Sequence, residues 1–346
     1  MKNSTLQICS ETIYPGENLS LALPLPEIFS CAPLYMPIKV VHGKQAGPSL
    51  LVTAAMHGNE LNGTEIINRL LNISSLKRLR GTLIAIPVLN VYGLINRSRL
   101  LPGGVNLDSC FPGSENGTHA ARMAHIFTKE IISKADVCLD LQTGLMNHTN
   151  LPQIFINTAD ENAQSLAKAF NAPVISNTMF KPGMLRTIIA EQNKRFLMYE
   201  AGEAMRFDEH AIRVGVKGTL NLMRKLGMLP TKTPAKEPKL KSFFTDKNIW
   251  VRASTSGISH SKHKLGQHVK KGELLCTIND PFGATNSVNV VSPEEAIIVG
   301  KNNLPLVHEG ESLFQLAIFS KMEHAATHLD TWKEKSSSSL QEFDKK

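Results

Sequence analysis

The feature of this 346-residue chain that most restricts its fold is an alternation of apolar and amphipathic segments between residues 38 and 227. Apolar residues at helical spacing predict helices at 62–72, 118–135 and 209–227. Nearly continuous apolar runs predict the strands between them. They lie at 38–43, 47–60 (a strand and the turn after it), 81–90, 137–139, 151–157, 172–176 and 195–202. Such an alternation indicates an α/β fold whose sheet is buried on both faces.

Changes in composition divide the chain into five predicted parts. Residues 1–36 carry prolines that interrupt any long element, so we expect a β or irregular amino-terminal extension. Residues 37–230 form the predicted α/β catalytic-type domain, and the proline- and lysine-rich segment 231–245 is the predicted linker. Residues 246–320 show short β runs joined by glycine turns, which predict a small all-β domain. Residues 321–346 are serine-rich with little apolar content and are predicted to be a disordered tail.

Charge and hydropathy argue against two classes of partner. The net charge is +8, but the basic residues concentrate only at 231–247 and 260–271, without the interleaved aromatic residues that stack on bases. No apolar run approaches the roughly 20 residues that a membrane helix needs. We therefore expect neither nucleic acid nor membrane as a partner, and a homo-oligomer is left open.

The cysteines and the amino terminus indicate a cytoplasmic protein. The five cysteines are scattered and odd in number, and no CxxC motif occurs, which is typical of a reducing compartment. The first residues lack the sustained apolar core of a signal peptide.

Two polar residues in the turn after the strand at 47–60 are the first candidates for a site. His57 and Glu60 stand three apart, where open α/β sheets place their active sites, outside the carboxyl ends of the strands. An imidazole and a carboxylate at this spacing can bind one zinc ion. The alternative is that both are solvated loop residues.

Glu200 is the second candidate, at the end of the apolar strand 195–202. A carboxylate beside a metal-bound water can act as a general base that then passes the proton to a leaving amine. The alternative is a carboxylate that caps the following turn.

Six motifs, in this order, resemble the succinylglutamate desuccinylase/aspartoacylase family over about residues 38–320. They are "HGNELNG", "NVYGLINRSRLLP", "FPGS", "DLQTG", "TNLPQ" and "YEAGEAMRFDE". The resemblance implies zinc-dependent deacylases with a carboxypeptidase-like mixed sheet flanked by helices and a lipoyl-like barrel-sandwich domain at the carboxyl terminus. It further implies that His57 and Glu60 are zinc ligands and that Glu200 is the catalytic base. The predicted β domain shows no carrier lysine in "VSPEEAIIVG", so no lipoyl or biotin is expected.

The third zinc ligand of the family falls on Gln142, where the family has a histidine. An amide oxygen is a poor ligand for zinc, which prefers imidazole or thiolate. Two readings stay open. In one, His57, Glu60 and Gln142 still hold one zinc ion per chain, with His148 as a further candidate ligand. In the other, the metal is absent and the pocket only binds a ligand.

The substrate-binding residues implied by the resemblance also depart from the family pattern. Asp108 and Ser109 fall on an asparagine and an arginine of its "DLNR" motif, and serine cannot replace the bidentate grip of arginine on a carboxylate. Arg99 matches a second substrate-binding arginine, and Arg186 lies where the family often has a pocket arginine. A substrate less anionic than the family norm is therefore expected.

These observations support two functions. The first is a zinc-dependent hydrolase that cleaves the amide bond of an N-acyl amino acid or a similar small molecule. The second is a catalytically silent homologue that binds a small molecule or a protein partner. The replacements at Gln142 and at Asp108–Ser109 are the main support for the second.

Overall fold

The computed structural model describes residues 1–27, 33–231 and 242–338. The amino-terminal part and the first half of the main sheet contain strands β1 to β6 and helix α1: β1 (Leu6–Ile8), β2 (Glu11–Ile13), β3 (Asn18–Pro24), β4 (Tyr35–His42), β5 (Gln45–Ala54), α1 (Asn62–Leu71) and β6 (Arg80–Ile86). The next stretch contains α2 (Val91–Ile95), α3 (His119–Glu130), β7 (Val137–Gly144), β8 (His148–Ile156), α4 (Glu161–Phe170), β9 (Val174–Asn177), α5 (Leu185–Glu191), β10 (Arg195–Glu203) and α6 (Glu209–Lys225).

The carboxyl-terminal part is built almost wholly of strands. They are β11 (Phe243–Phe244), β12 (Lys247–Arg252), β13 (Gly257–His260), β14 (His268–Val269), β15 (Leu274–Asn279), β16 (Val288–Val291), β17 (Ala296–Asn302), β18 (Leu306–Val307) and β19 (Ser312–Ile318), followed by α7 (Met322–Ser338).

A 13-stranded mixed sheet dominates the molecule, with the order β12-β19-β17-β8-β10-β7-β5-β6-β4-β3 along its main path. Its centre, β6-β5-β7-β10, is parallel, and β4 and β8 flank it antiparallel. This arrangement confirms the predicted α/β class with a mixed sheet and flanking helices.

Two apolar cores cover the two faces of the sheet, as the strand pattern predicts. In β5, Leu50 and Val52 belong to the core that α1, α4 and α6 complete, whereas Leu51 belongs to the core beneath α3 and α5. All three side chains are fully buried. This alternation is what a strand covered on both faces requires.

The carboxyl-terminal strands form a second sheet and also extend the main one. Strands β16-β15-β13-β18 make a four-stranded sheet, whereas β17 pairs with β8, where Gly300 lies opposite Asn150. The sequence pattern predicts these strands but contains no information on this long-range pairing. The predicted barrel-sandwich architecture stays a prediction.

Three predicted part boundaries are corrected. Strand β4 begins at Tyr35 and pairs with β3, so the boundary at residue 36 falls inside the main sheet. The predicted linker contains β11, which pairs with β9, while residues 232–241 lie outside the described ones. The predicted disorder of the tail is wrong for residues 322–338, which form α7.

The physical reason for the tail correction is an apolar stripe. Ala325, Leu329 and Trp332 recur at helical spacing and are all buried. Ala325 and Leu329 pack with Phe319 in one apolar cluster. Residues 339–346 lie outside the described part of the chain. Among the described helices, none is both long and apolar enough to cross a membrane.

Candidate active site

The candidate residues meet at the carboxyl ends of three neighbouring parallel strands, β5, β7 and β10. Glu200 of β10 lies directly opposite Gln142 of β7 in the strand register. His57 and Glu60 follow β5, the strand on the other side of β7. The edge of the sheet that the sequence predicts as the site therefore gathers these four residues.

A strained turn presents His57 and Glu60. Ala55 adopts a positive φ of 50°, and the N–H of Glu60 donates to the carbonyl of His57 (2.9 Å). Gly58 passes so close to α2 that a Cβ there would lie 2.0 Å from the carbonyl carbon of Gly93. Only glycine therefore fits at residue 58. The left-handed conformation of Ala55 costs energy, and such strained residues are found mainly at functional sites.

Arg99 reaches this turn from the loop after α2. Asn90 caps α2 by accepting the N–H of Gly93 (2.7 Å), and its Nδ2 lies 3.5 Å from the carbonyl oxygen of Arg99. The guanidinium donates through Nη1 to Oε1 of Glu60 (2.6 Å) and through Nη2 to Nε2 of His57 (2.7 Å). One cationic group thus bridges the two predicted metal ligands.

These contacts fix the protonation of His57. A guanidinium can only donate hydrogen bonds, so Nε2 of His57 is the acceptor and the ring is neutral. Burial lowers the pKa of His57 to about 3, and the nearby positive charge of Arg99 adds to the effect. The proton then resides on Nδ1, which is buried and has no hydrogen-bond partner among the described residues.

Glu60 is 1% exposed and both of its oxygens accept hydrogen bonds. Oε1 accepts from Arg99, and Oε2 accepts the backbone N–H of Thr143 (3.0 Å). Burial raises the pKa of Glu60 to about 8, and Arg99 and the Thr143 N–H oppose this rise. Because each oxygen already accepts an N–H, the hydrogen bonds favour the carboxylate form of Glu60, against the effect of burial.

Gln142 is oriented by a neighbour on the same face of β7. Its Nε2 donates to Oδ2 of Asp140 (2.6 Å), and Oδ1 of Asp140 accepts the hydroxyl of Thr53 (2.7 Å). Burial raises the pKa of Asp140 to about 6, although the hydrogen bonds from Thr53 and Gln142 lower it. Residues two apart on a strand share a face, which is why Asp140 can hold Gln142.

Glu200 is half-buried and accepts one strong hydrogen bond. Asn150 of β8 donates through Nδ2 to Oε1 of Glu200. Burial raises the pKa of Glu200 to about 7, while Asn150, Arg99 and Arg186 hold it lower. A carboxyl group with a pKa near neutrality can both accept and return a proton.

The other candidates lie beside this cluster. Asp108 is buried, accepts the N–H of Leu185 (3.2 Å) and lies 3.9 Å from Nη2 of Arg186. Burial raises the pKa of Asp108, and Arg186 opposes the rise. Asp108 is therefore paired with the cationic side chain of Arg186. Ser109, the next residue, is exposed at the surface.

The hydrogen-bond partners of His148 are backbone carbonyl groups and include neither His57 nor Glu60. Its Nε2 is 3.2 Å from the carbonyl oxygen of Ser312, and its Nδ1 is 3.4 Å from that of Met146. The structure therefore does not support His148 as a further ligand.

Sequence reasoning missed Asp140, Thr143 and Asn150, which orient Gln142, Glu60 and Glu200. Only Asp140 carried a signal, its place two residues before Gln142.

The residues present do not fit a zinc ion. Of the three predicted ligands, only His57 and Glu60 are ordinary zinc ligands, and the guanidinium of Arg99 already contacts both. Within residues 1–27, 33–231 and 242–338 there is no group of three or more histidine, cysteine, aspartate or glutamate residues arranged to hold a metal ion. The zinc ion expected from the sequence stays a prediction. The chemistry of His57, Glu60 and Gln142 argues against it.

Comparisons with known proteins identify the class. The model of the succinylglutamate desuccinylase/aspartoacylase catalytic domain matches residues 46–226, just over half of the chain. A similar fold occurs in the succinylglutamate desuccinylase/aspartoacylase from Rhodobacter sphaeroides, with a TM-score of 0.78 and 21% identity over 87% of this chain and 94% of that one. The product-bound ectoine utilization protein EutE (DoeB) from Ruegeria pomeroyi has a TM-score of 0.78 and 23% identity over 87% and 95%.

A curated relative is the N-alpha-acetyl-L-2,4-diaminobutyric acid deacetylase of Halomonas elongata. It is 24% identical over 254 residues, which are 71% of this chain and 74% of the relative. The fold and the site define an α/β protein with a polar cluster at the carboxyl ends of its parallel strands. The chain belongs to the succinylglutamate desuccinylase/aspartoacylase family.

Proposed function

We propose that this chain is a deacylase that hydrolyses the amide bond of an N-acyl amino acid or a similar small molecule. The observation that carries the proposal is Glu200, a half-buried carboxyl group with a pKa of about 7 at the carboxyl end of β10. The deacetylase activity in the name of the Halomonas elongata relative supports the same class of reaction. The proposed reaction does not use the zinc ion expected from the sequence, because the residues do not fit that ion.

Glu200 is the proposed base. Its carboxylate takes a proton from a water molecule, whose oxygen then attacks the acyl carbon. Nitrogen leaves when the C–N bond breaks, and Glu200 returns the proton to it. The products are a free amine and a carboxylic acid.

Arg99 is proposed to stabilise the negative charge that develops on the acyl oxygen. Its guanidinium has five N–H donors, and the bonds to Glu60 and His57 leave others available. Its side chain is 34% exposed, so a substrate can reach it, and the two buried partners hold it in place. A donor fixed before the reaction costs no reorganisation during it.

The test uses a panel of N-acetyl and N-succinyl amino acids with acidic, neutral and basic side chains. Hydrolysis is measured as the release of the free amine. Glu200→Gln keeps the hydrogen-bonding shape but not the base. We expect it to lower kcat by about 10²–10⁴-fold while KM changes little. Glu191→Gln, an exposed carboxyl group at the end of α5, is the matched control. Full activity in Glu200→Gln would show that Glu200 is not the base.

A silent binding protein is the second candidate, and one observation favours it. Serine at residue 109 cannot grip a carboxylate and Arg186 is already paired with Asp108, so an anionic substrate keeps only Arg99 of the arginines that the resemblance implies. Calorimetric binding of a panel member without any amine release in the wild type, at enzyme concentrations near those of the substrate, would select this function over hydrolysis.

A further inference from the structure

We infer that the guanidinium of Arg99 stands in place of a metal ion, so that His57 and Glu60 form a metal-free site. The inference does not depend on the proposed hydrolysis, because it concerns which cation neutralises these two residues. Its readout is zinc binding, and either proposal can fail while the other stands.

The geometry of the two contacts is the first support. Nη1 and Nη2 belong to one planar group, and they lie 2.6 Å from Oε1 of Glu60 and 2.7 Å from Nε2 of His57. Both acceptor atoms therefore contact one guanidinium group, as two ligands contact one metal ion. That group carries a fixed positive charge.

Charge compensation is the second support. Glu60 is 1% exposed, and a buried carboxylate needs a paired cation. Arg99 provides that cation as part of the chain, so it is always present at full occupancy. A zinc ion could bind only by displacing the guanidinium or by lying next to it, and two like charges at such a distance repel.

Gln142 is the third support. In zinc sites a ligand histidine usually donates its second ring N–H to a carboxylate, which orients the ring. Gln142 makes the corresponding hydrogen bond, from Nε2 to Asp140 at 2.6 Å. The glutamine thus preserves the outer contact of a ligand histidine while it lacks the imidazole that would bind zinc.

Four full-length, untagged proteins test the inference: the wild type, Gln142→His, Arg99→Met and the double variant. Zinc binding is measured by calorimetric titration and by elemental analysis after dialysis, with zinc at up to about tenfold molar excess. His57→Ala in the wild type and in the double variant is the control for zinc held elsewhere on the surface.

We expect no His57-dependent zinc in the wild type and about one zinc per chain in the double variant. The double variant should bind zinc at least about tenfold more tightly than Gln142→His, because it lacks the competing guanidinium. Zinc should raise the Tm of the double variant, whereas neither zinc nor a chelator should change the Tm of the wild type.

Two results would overturn the inference. One is a wild type that holds one zinc per chain and loses it in His57→Ala. The other is an equal zinc affinity of Gln142→His and the double variant, which would show that Arg99 does not occupy the site. If the double variant does not fold, the wild-type and His57→Ala measurements decide alone.

Discussion

At the scale of single residues, the hydrogen bond from Asn150 to Glu200 lowers the proton affinity of the proposed base. A bond to the charged form of an acid favours that form and lowers the pKa. Asn150→Ala should therefore raise the pKa of Glu200 above its value of about 7. Because the base acts when deprotonated, activity falls as the pH drops through that pKa. The acid limb of the profile of kcat/KM should move to higher pH in this variant.

Initial rates between about pH 5 and pH 9 measure this shift, since the range brackets the pKa values of perturbed carboxyl groups. Glu200→Asp is the useful control, because it retains a titrating carboxyl group without the same contact to Asn150. An acid limb that stays in place in Asn150→Ala would show that another group titrates.

The residue scale also shows what the sequence could and could not predict about the site. His57, Glu60 and Glu200 were predictable because strand ends can be read from apolar runs and because the motifs resemble a family. The direction of the Arg99 side chain was not, since it is set by the cap at Asn90 and by two acceptors about 40 residues earlier in the chain.

At the scale of elements, α6 packs against α4 through a glycine. A Cβ at Gly218 would lie 2.4–2.6 Å from three ring atoms of Phe170, and that ring packs against Tyr199 with centroids 5.1 Å apart. Gly218→Ala should destabilise the protein by about 1–3 kcal/mol from overpacking. The better helix propensity of alanine, worth about 1 kcal/mol, offsets only part of this.

Urea unfolding followed by circular dichroism measures the change, and Lys217→Ala on the exposed face of the same helix is the control. A Gly218→Ala variant as stable as the wild type would mean that the Phe170 ring moves aside at no cost.

An ion pair between α1 and α6 makes stability depend on pH. Arg69 donates to both oxygens of Glu209 (2.7 and 2.9 Å), and Arg213 donates to the same carboxylate. The hydrogen bond from Arg69, followed by that from Arg213, lowers the pKa of Glu209 to about 2. A lowered carboxyl pKa stabilises the fold above the ordinary value of 4.5, and this contribution is lost as the pH falls towards 2.

Glu209→Gln should therefore lower the Tm at neutral pH and have a shrinking effect as the pH falls below about 4.5. The side chain is 48% exposed, so we expect at most about 1 kcal/mol. Thermal unfolding of both proteins between pH 7 and about pH 3 measures the difference. A gap in Tm that is constant over this range would exclude the ion pair as its cause.

The elements themselves were predictable to different degrees. The helices at 62–72 and 209–227 are confirmed to within two residues, because long amphipathic patterns identify helices well. The predicted helix at 118–135 ends at Glu130, and a short 3-10 turn at Ile132–Lys134 completes the segment. Helix α7 was missed because its serine-rich end hid a short apolar stripe.

At the scale of the whole molecule, the carboxyl-terminal strands meet the surroundings of Glu200 where β17 pairs with β8. Gly300 of β17 lies opposite Asn150 of β8, and a Cβ at Gly300 would lie 2.8 Å from Oδ1 of Asn150. It would also lie 3.0 Å from Cβ of Gln315. A side chain at residue 300 must therefore push the Asn150 amide, whose other end holds Glu200.

Gly300→Val should lower kcat more than it raises KM, and it should shift the acid limb in the same direction as Asn150→Ala. Val291→Ala, on the exposed edge of the four-stranded sheet, is the control for a general loss of stability in this part of the chain.

The variant Asn150→Ala/Gly300→Val distinguishes the mechanism, since two changes that act through one hydrogen bond are not additive. If their effects on the acid limb add fully, Gly300 acts through some other contact. If Gly300→Val alone leaves the profile unchanged while the protein stays folded, the carboxyl-terminal strands do not influence Glu200 through Asn150. The coupling would follow from β17 pairing with β8, so it belongs to the joined sheet and not to the α/β part alone.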